Sequence, residues 1–313
     1  MSVQSAARGS VLIVGTGAMA CLFGARLSPH TDVTLLGTWP EGVAAARERG
    51  IRLEVDGKET VARVRATSDP AECAGARMAI VLVKSWQTAR AARQLEGCLA
   101  GDGVALTLQN GLGNITRLEE RLGASRAALG VTTTGATLLG PGHVRTGGEG
   151  VTHLASHPRV GPVADLLRRA GLAVEIAEDV RSLAWGKAVV SAAINPITAL
   201  LRVPNGELLN PARLGARALA AEAAEEAAGV AAARGIRLPY RDPVAHVMEI
   251  ARRTAGNRSS MLQDVESGRQ TEIDAINGVI VSEAETLGVS VPVNRVLWNL
   301  VRSLSPSASG EEG

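Results

Sequence analysis

Cysteine is scarce in this 313-residue sequence: Cys21, Cys73 and Cys98 form no CxxC pair, and any one disulfide leaves a thiol over. That excludes a disulfide scaffold and reads as reduced thiols in a reducing compartment. Aromatics are few (four Trp, one Tyr, one Phe) beside 35 Gly and abundant Ala, so the chain is light for its length. Neither charge sign dominates: 33 Lys and Arg against 31 Asp and Glu leave a net charge of +2. With no dense Lys/Arg run, this predicts neither a nucleic-acid nor a membrane-surface partner. No apolar stretch is expected to approach the roughly 18 residues that span a bilayer. The opening MSVQSAARGS has no apolar h-region, so no secretory signal is expected. Together these absences predict a soluble, cytoplasmic protein. An apolar fraction of 46% and a charged fraction of 20% are ordinary for a globular chain and exclude pervasive disorder. A length near twice ~150 predicts about two domains.

The first half alternates short apolar runs with helical stretches. Val11–Val14 and Asp32–Leu36 read as strands around a helix at Met19–Leu27, followed by a helix at Glu41–Arg49. Ile51–Val64 alternates about Asp56-Gly57 and predicts a hairpin. Further strands are expected at Met78–Val83, Val104–Leu108 and Ala127–Thr132, with antiparallel additions within Thr137–Ala155 and a last strand at Leu172–Ile176. This order predicts a largely parallel, doubly wound sheet. From about Asp179, helical periodicity runs to Leu304. The expectation is an α/β protein, with a Rossmann-like domain over 1–178 and an all-α domain over 179–313, its tail 305–313 frayed. The Ala-rich stretch Ala212–Arg234 reads as a packing helix, equally suited to the interior or to a dimer surface, so monomer and homodimer both remain open.

Gly15-Thr16-Gly17-Ala18-Met19-Ala20 directly follows the first strand and opens a helix. In a GxGxxA turn the first Gly allows the tight turn, the second lets backbone approach a pyrophosphate, and the third small residue allows helix–strand packing. The phosphates would sit on the helix N-terminus. An NAD site wants a carboxylate at the end of the second strand, but that strand ends Leu36-Gly37-Thr38-Trp39, with no acid before Glu41. The absence favours NADP, although no Arg stands there either, so NADPH is expected and NADH stays open. Lys84 and Asn110 fall just past predicted strands, where α/β sheets bind ligands. A solvated Lys and a turn-forming Asn-Gly explain them equally well.

Lys187, Ser191 and Asn195 recur every fourth residue along an otherwise apolar helix. A Lys among Trp, Ala and Val suits neither a solvated face nor an unpaired core position, so a functional role is favoured. Pro196 predicts that this helix ends or kinks at Asn195, turning that side chain into a gap. Asn257-Arg258-Ser259-Ser260 and Thr271-Glu272 are polar clusters beside apolar helical residues; helix caps at Ser259 or Ser260 and at Thr271 account for them without any function. No metal site is expected: the five His show neither HExxH nor Cys partners at ligand spacing.

Taken together, these segments resemble the ketopantoate reductase (2-dehydropantoate 2-reductase) family. The likeness runs from about Val11 to Leu304 and rests on GTGAMA at Gly15–Ala20, VKSWQ at Val83–Gln87 and LQNGLG at Leu108–Gly113. It continues through WGKAVVSAAINPITAL at Trp185–Leu200, VPNGEL at Val203–Leu208, SSMLQD at Ser259–Asp264 and TEIDAINGVI at Thr271–Ile280. The resemblance implies NADPH-dependent reduction of 2-dehydropantoate, a 2-oxo acid, to (R)-pantoate, on the way to pantothenate and coenzyme A. It implies that Lys187 is the general acid and that Glu272 lies within the same site, near cofactor and substrate. Asn110 would meet the nicotinamide end, Lys84 the phosphate side, and Thr137 the cofactor through its backbone. Ser191, Asn195, Asn205 and the Asn257–Ser260 segment would hold the substrate. Two positions depart from the family pattern: Thr38 stands where Arg is usual, and Ser191 where Asn is common. Two alternatives accompany this reading. One is a paralogous reductase of another 2-oxo acid or ketone; the other is a non-catalytic nucleotide-binding sensor, against which Lys187 and Glu272 speak.

Overall fold

A computed structural model describes residues 10–304, so the expectations for the opening segment and for the tail 305–313 lie outside the described residues. The chain divides into two compact units. One runs to Gln109 and resumes over Asn114–Val180; the other joins Asn110–Gly113 to the chain from Arg181 onward.

The first unit contains β1 (Ser10–Val14), α1 (Ala18–Leu27), β2 (Asp32–Leu36), α2 (Pro40–Arg49), β3 (Ile51–Val55), β4 (Lys58–Ala62), β5 (Arg65–Thr67) and β6 (Ala76–Val81). It continues with α3 (Thr88–Cys98), β7 (Leu99–Thr107), α4 (Asn114–Leu122), β8 (Ala127–Thr132), β9 (Gly135–Gly140), β10 (His143–Gly148), β11 (Val151–Ala155), α5 (Gly161–Arg169) and β12 (Ala173–Ala177). Eight strands form one sheet in the order β12-β11-β8-β7-β6-β1-β2-β5, parallel throughout except where β11 runs against β8. The central strands are apolar without alternation because both faces are covered. Val11 and Ile13 pack into one core with α1 and α5, while Leu12 and Val14 pack into the other with α3 and α4.

Asp56 and Gly57 take positive φ (49° and 76°), as a tight two-residue hairpin requires, and join β3 to β4. The sequence does not announce where this hairpin goes. It forms a second sheet, β4-β3-β10-β9, in which β10 runs parallel to β3 and antiparallel to β9. Ala136 and Leu138 of β9 pack against the core that α1 helps to build. Glu54, Glu59 and His143 gather on this sheet, where Arg145 pairs with Glu54 at 2.8 Å and Arg52 with Glu59 at 3.3 Å.

The second unit is helical: α6 (Val180–Leu201), α7 (Leu214–Ala233), α8 (Pro243–Arg253), α9 (Ser260–Glu266), α10 (Asn277–Leu287) and α11 (Pro292–Leu304). The Ala-rich α7 buries Ala220, Ala223, Ala224, Ala227, Val230 and Ala231 in the unit's own core, so this stripe is interior packing. One expectation needs correcting. By length and composition α6 is apolar enough to cross a membrane. Its long run of Ala, Val and Ile serves the unit's core instead, where Val189, Ala192, Ala193, Ile194 and Ile197 are buried.

Pro196 does not end α6, contrary to the sequence expectation; the helix continues for five residues to Leu201. Proline removes the N–H that would bond the carbonyl four residues earlier, which is that of Ala192. Asn277 Nδ2 donates to the Ala192 carbonyl at 3.1 Å and so replaces the missing donor. The same amide donates to Asn294 Oδ1 at 3.0 Å, and Asn294 in turn donates to Ala223 O and to Glu226 Oε2. Both asparagines are fully buried.

Candidate active site

Lys187 sits midway along the first half of α6, partly buried. Its stretch of helix is held from behind. A Cβ on the preceding Gly186 would fall 2.8 Å from Pro239, and the Tyr240 hydroxyl donates to Gly186 O at 2.9 Å. Sequence reasoning gave Tyr240 no part, and nothing in the sequence signals it. Lys187 Nζ donates to Asn110 Oδ1 at 2.7 Å. Asn110 arrives on the short segment 110–113, which packs with the helical unit. The reason lies in Gly111. Its φ is +81° and a Cβ there would meet the Ala275 carbonyl oxygen at 2.6 Å, so only Gly permits the approach. Leu112 N then donates to that same Ala275 oxygen at 2.8 Å.

Ala275 closes the short 3-10 turn Ile273–Ala275, and Glu272 stands at its start, only 7% exposed. Desolvation pulls the Lys187 ammonium from 10.5 down to about 8, while the Glu272 carboxylate pushes it back up. Lys187, Asn110 and Glu272 are therefore brought together. Ser191 and Asn195 follow Lys187 along the same half-buried stripe, about 12 Å of helix from end to end. The helix carries Asn195 onward as part of a regular face, not into a break.

Further along α6, Thr198 donates to Ile194 O and shares a hydrogen bond of 2.8 Å with Ser259 Oγ. Ser259 also accepts from Leu262 N and so caps α9, which is the structural role that its sequence context allowed. Asn205 donates from its backbone N–H to Asn257 O at 2.9 Å and from Nδ2 to Thr254 Oγ1 at 3.0 Å. Its Oδ1 is buried without a hydrogen-bond partner among the described residues. An acceptor held inside a polar cluster without a donor is suited to a hydroxyl-bearing ligand. Arg258 turns to Glu266 of α9 as an ion pair, and Ser260 is exposed at the start of that helix. Thr271 caps no helix: its Oγ1 is buried without a hydrogen-bond partner among the described residues, and Glu272 occupies the position before the 3-10 turn.

The Gly-rich turn lies in the first unit, at the carboxyl end of β1. Gly15 has φ +130°, and a Cβ there would lie 3.1 Å from the Leu82 backbone. Gly17 is the N-cap of α1 without any side-chain cap, and a Cβ on it would meet nothing within 4 Å. Space over an uncapped helix N-terminus is what a pyrophosphate needs, so these residues fit a dinucleotide. Ala18 and Met19 form the first turn of α1, and Ala20 is fully buried against the sheet, as the motif requires. Thr16 is buried in the turn. Lys84 is partly buried two residues beyond Leu82, at the carboxyl end of the neighbouring β6. Thr137 lies mid-strand in β9 of the second sheet, opposite Arg145.

The two halves of the sequence match two family models, "Ketopantoate reductase PanE/ApbA" over residues 11–159 and "Ketopantoate reductase PanE/ApbA C terminal" over 179–305. The chain belongs to the ketopantoate reductase family. It is an oxidoreductase of that type. The 2-dehydropantoate 2-reductase of Archaeoglobus fulgidus is 40% identical over 94% of this chain and 97% of its own length. That of Halobacterium salinarum is 38% identical over 93% and 97%. Among solved structures, a PanE/ApbA family ketopantoate reductase from Ralstonia eutropha superposes with a TM-score of 0.87 at 34% identity, covering 94% of this chain and 98% of the other. A D-mandelate dehydrogenase, solved as a ternary structure with NADH and anilino(oxo)acetate, superposes with a TM-score of 0.88 at 28% identity, covering 94% and 98%.

Proposed function

We propose that this protein reduces 2-dehydropantoate to pantoate with NADPH, and that Lys187 is the general acid. The observation that carries the proposal is a desolvated ammonium, its pKa drawn to about 8, held against Asn110 and biased by Glu272. A bound reduced nicotinamide supplies the hydride. The chain's own residues do the rest. As negative charge grows on the carbonyl oxygen, the Lys187 ammonium stabilises it and then gives up a proton. Near pH 7 a group with that pKa is still mostly protonated, yet it is a stronger acid than an ordinary Lys. Asn110 accepts one Nζ–H and fixes the ammonium's direction. Ser191, Asn195 and Asn205, with the Asn257–Ser259 backbone, supply donors and acceptors for the substrate's hydroxyl and carboxylate. Arg258 and Ser260 contribute least to substrate binding, being an exposed ion-pair partner and an exposed first residue of α9. Gly15–Ala20 and Lys84 hold the cofactor's phosphates, and Thr137 meets the cofactor through its backbone. The setting is the cytoplasm.

Purified protein mixed with 2-dehydropantoate should consume NADPH, followed by nicotinamide absorbance, and Lys187→Ala should abolish that consumption. No turnover of this substrate with either NADPH or NADH would sink the proposal. A second reading is favoured by Ser191, whose short side chain leaves more room beside Lys187, and by the likeness to a dehydrogenase of an aryl 2-hydroxy acid. In that case phenyl-substituted 2-oxo acids would be reduced with a higher kcat/KM than 2-dehydropantoate.

A further inference from the structure

In a Rossmann unit, the substituent at the ribose 2′ position is read at the end of the second strand, by a carboxylate for a hydroxyl or by a nearby Arg for a phosphate. Here that place is Gly37-Thr38, just beyond β2. It is pressed onto the Gly-rich turn. Gly15 N donates to Leu36 O at 2.7 Å, and a Cβ on Gly37 would fall 2.5 Å from Thr16 Cγ2. Between the end of β2 and Glu41, which is exposed in the first turn of α2, there is no carboxylate. The sequence shows no Arg there either. The fold brings one from 52 residues away: Arg90 Nη2 donates to Thr38 Oγ1 at 2.8 Å.

Arg90 is the third residue of α3, and the start of that helix is fixed. Thr88 is fully buried, its one hydroxyl proton lies between Ser85 O and Asn114 Oδ1 at 2.8 Å each, and it accepts from Gln109 Nε2 at 2.8 Å. Among the described residues no carboxylate pairs with Arg90. A guanidinium carries five N–H donors, and the bond to Thr38 uses one of them, leaving a fork of the kind that grips a phosphate with two parallel bonds. We propose that Arg90, steered by the Thr38 hydroxyl, is the residue that binds the 2′-phosphate of NADP and sets the preference for NADPH over NADH. This rests on the dinucleotide reading above and moves the phosphate clamp from the end of β2 to the first turn of α3.

Calorimetric titration with adenosine 2′,5′-bisphosphate and with 5′-AMP isolates the 2′-phosphate without any turnover. The unaltered protein should prefer the bisphosphate by about tenfold or more, as two charge-assisted hydrogen bonds warrant. Arg90→Gln should bring the two ligands to within about twofold, and Arg90→Lys should fall between, having the charge without the fork. Arg93→Gln, one turn along the same helix and exposed, should keep the full preference. The kcat/KM ratio for NADPH over NADH should fall in step in Arg90→Gln. If that variant retains its preference for the bisphosphate, the proposal is overturned. Equal binding of the two ligands by the unaltered protein overturns it together with the NADPH reading. A protein that discriminates through Arg90 yet does not reduce 2-dehydropantoate supports this assignment and counts against the substrate alone.

Discussion

An ammonium whose proton comes off near pH 8 has consequences both for rate and for stability. In the proposed role of general acid Lys187 must be protonated, so kcat should be flat below that pH and decline above it. Glu272 holds the pKa up, so Glu272→Gln should move the alkaline limb to lower pH; a limb that stays in place would remove Glu272 from this role. The sign for stability runs the other way. The unfolded chain keeps the Lys proton up to about 10.5, whereas the folded protein releases it above about 8. Between those values the unfolded state holds more protons, so this group's contribution to stability improves as pH rises through the window. At neutral pH the buried charge is a cost, offset in part by the Glu272 carboxylate and the Asn110 acceptor, and Lys187→Met should abolish activity. Lys187 was legible in the sequence because a lone cation among Trp, Ala and Val violates the helix's own pattern. Thr271 and Ser259 were not separable there, since an ST cap and a ligand-binding hydroxyl look alike; only the geometry makes Ser259 a cap and leaves Thr271 without one.

At the scale of elements, α6 and α10 form one unit through a proline. Pro196 predicts a break, and the break is missing because Asn277 fills the vacated place on the Ala192 carbonyl. Nothing near Pro196 in the sequence reveals a donor 85 positions beyond Ala192. Asn277→Leu should therefore destabilise the protein by about 1–3 kcal/mol, since it strands buried acceptors. Pro196→Ala restores the helix's own N–H, so the double variant should lose less than the sum of the two single changes. Denaturant midpoints of the four proteins measure this, and simple additivity would mean that the amide and the proline are unrelated. The stripe of Lys187, Ser191 and Asn195 stays on one face because the helix runs straight through. Its spacing was readable, but its continuity was not.

Across the whole molecule, the parallel sheet was readable from the alternation of apolar runs and helices, since each strand–helix step is local. The sheet β4-β3-β10-β9 was not, because β3 and β10 are separated by some 90 residues, as in the Arg52–His143 pairing, and short strands carry no label for distant partners. The segment 110–113 belongs to neither kind of signal. It was readable as a turn after a strand, yet it is counted with the helices that begin some seventy residues later, through Gly111 and Ala275. Gly111→Val should clash there and strain a positive φ, costing more than about 1 kcal/mol and lowering kcat, because Asn110 would lose its place against Lys187. A variant with unaltered Tm and turnover would show that the approach is not tight.

That four-residue segment also limits how the chain can be divided. A hybrid joined near residue 180 would carry the lysine from one ancestor and its asparagine acceptor from the other. Relatives that differ in the turn after Glu272 would then be poor donors of a helical half, unless residues 110–113 travelled with it. The boundary along the sequence and the boundary of the catalytic lineage are different lines, and shuffling experiments within the family should find crossovers tolerated only where both are respected.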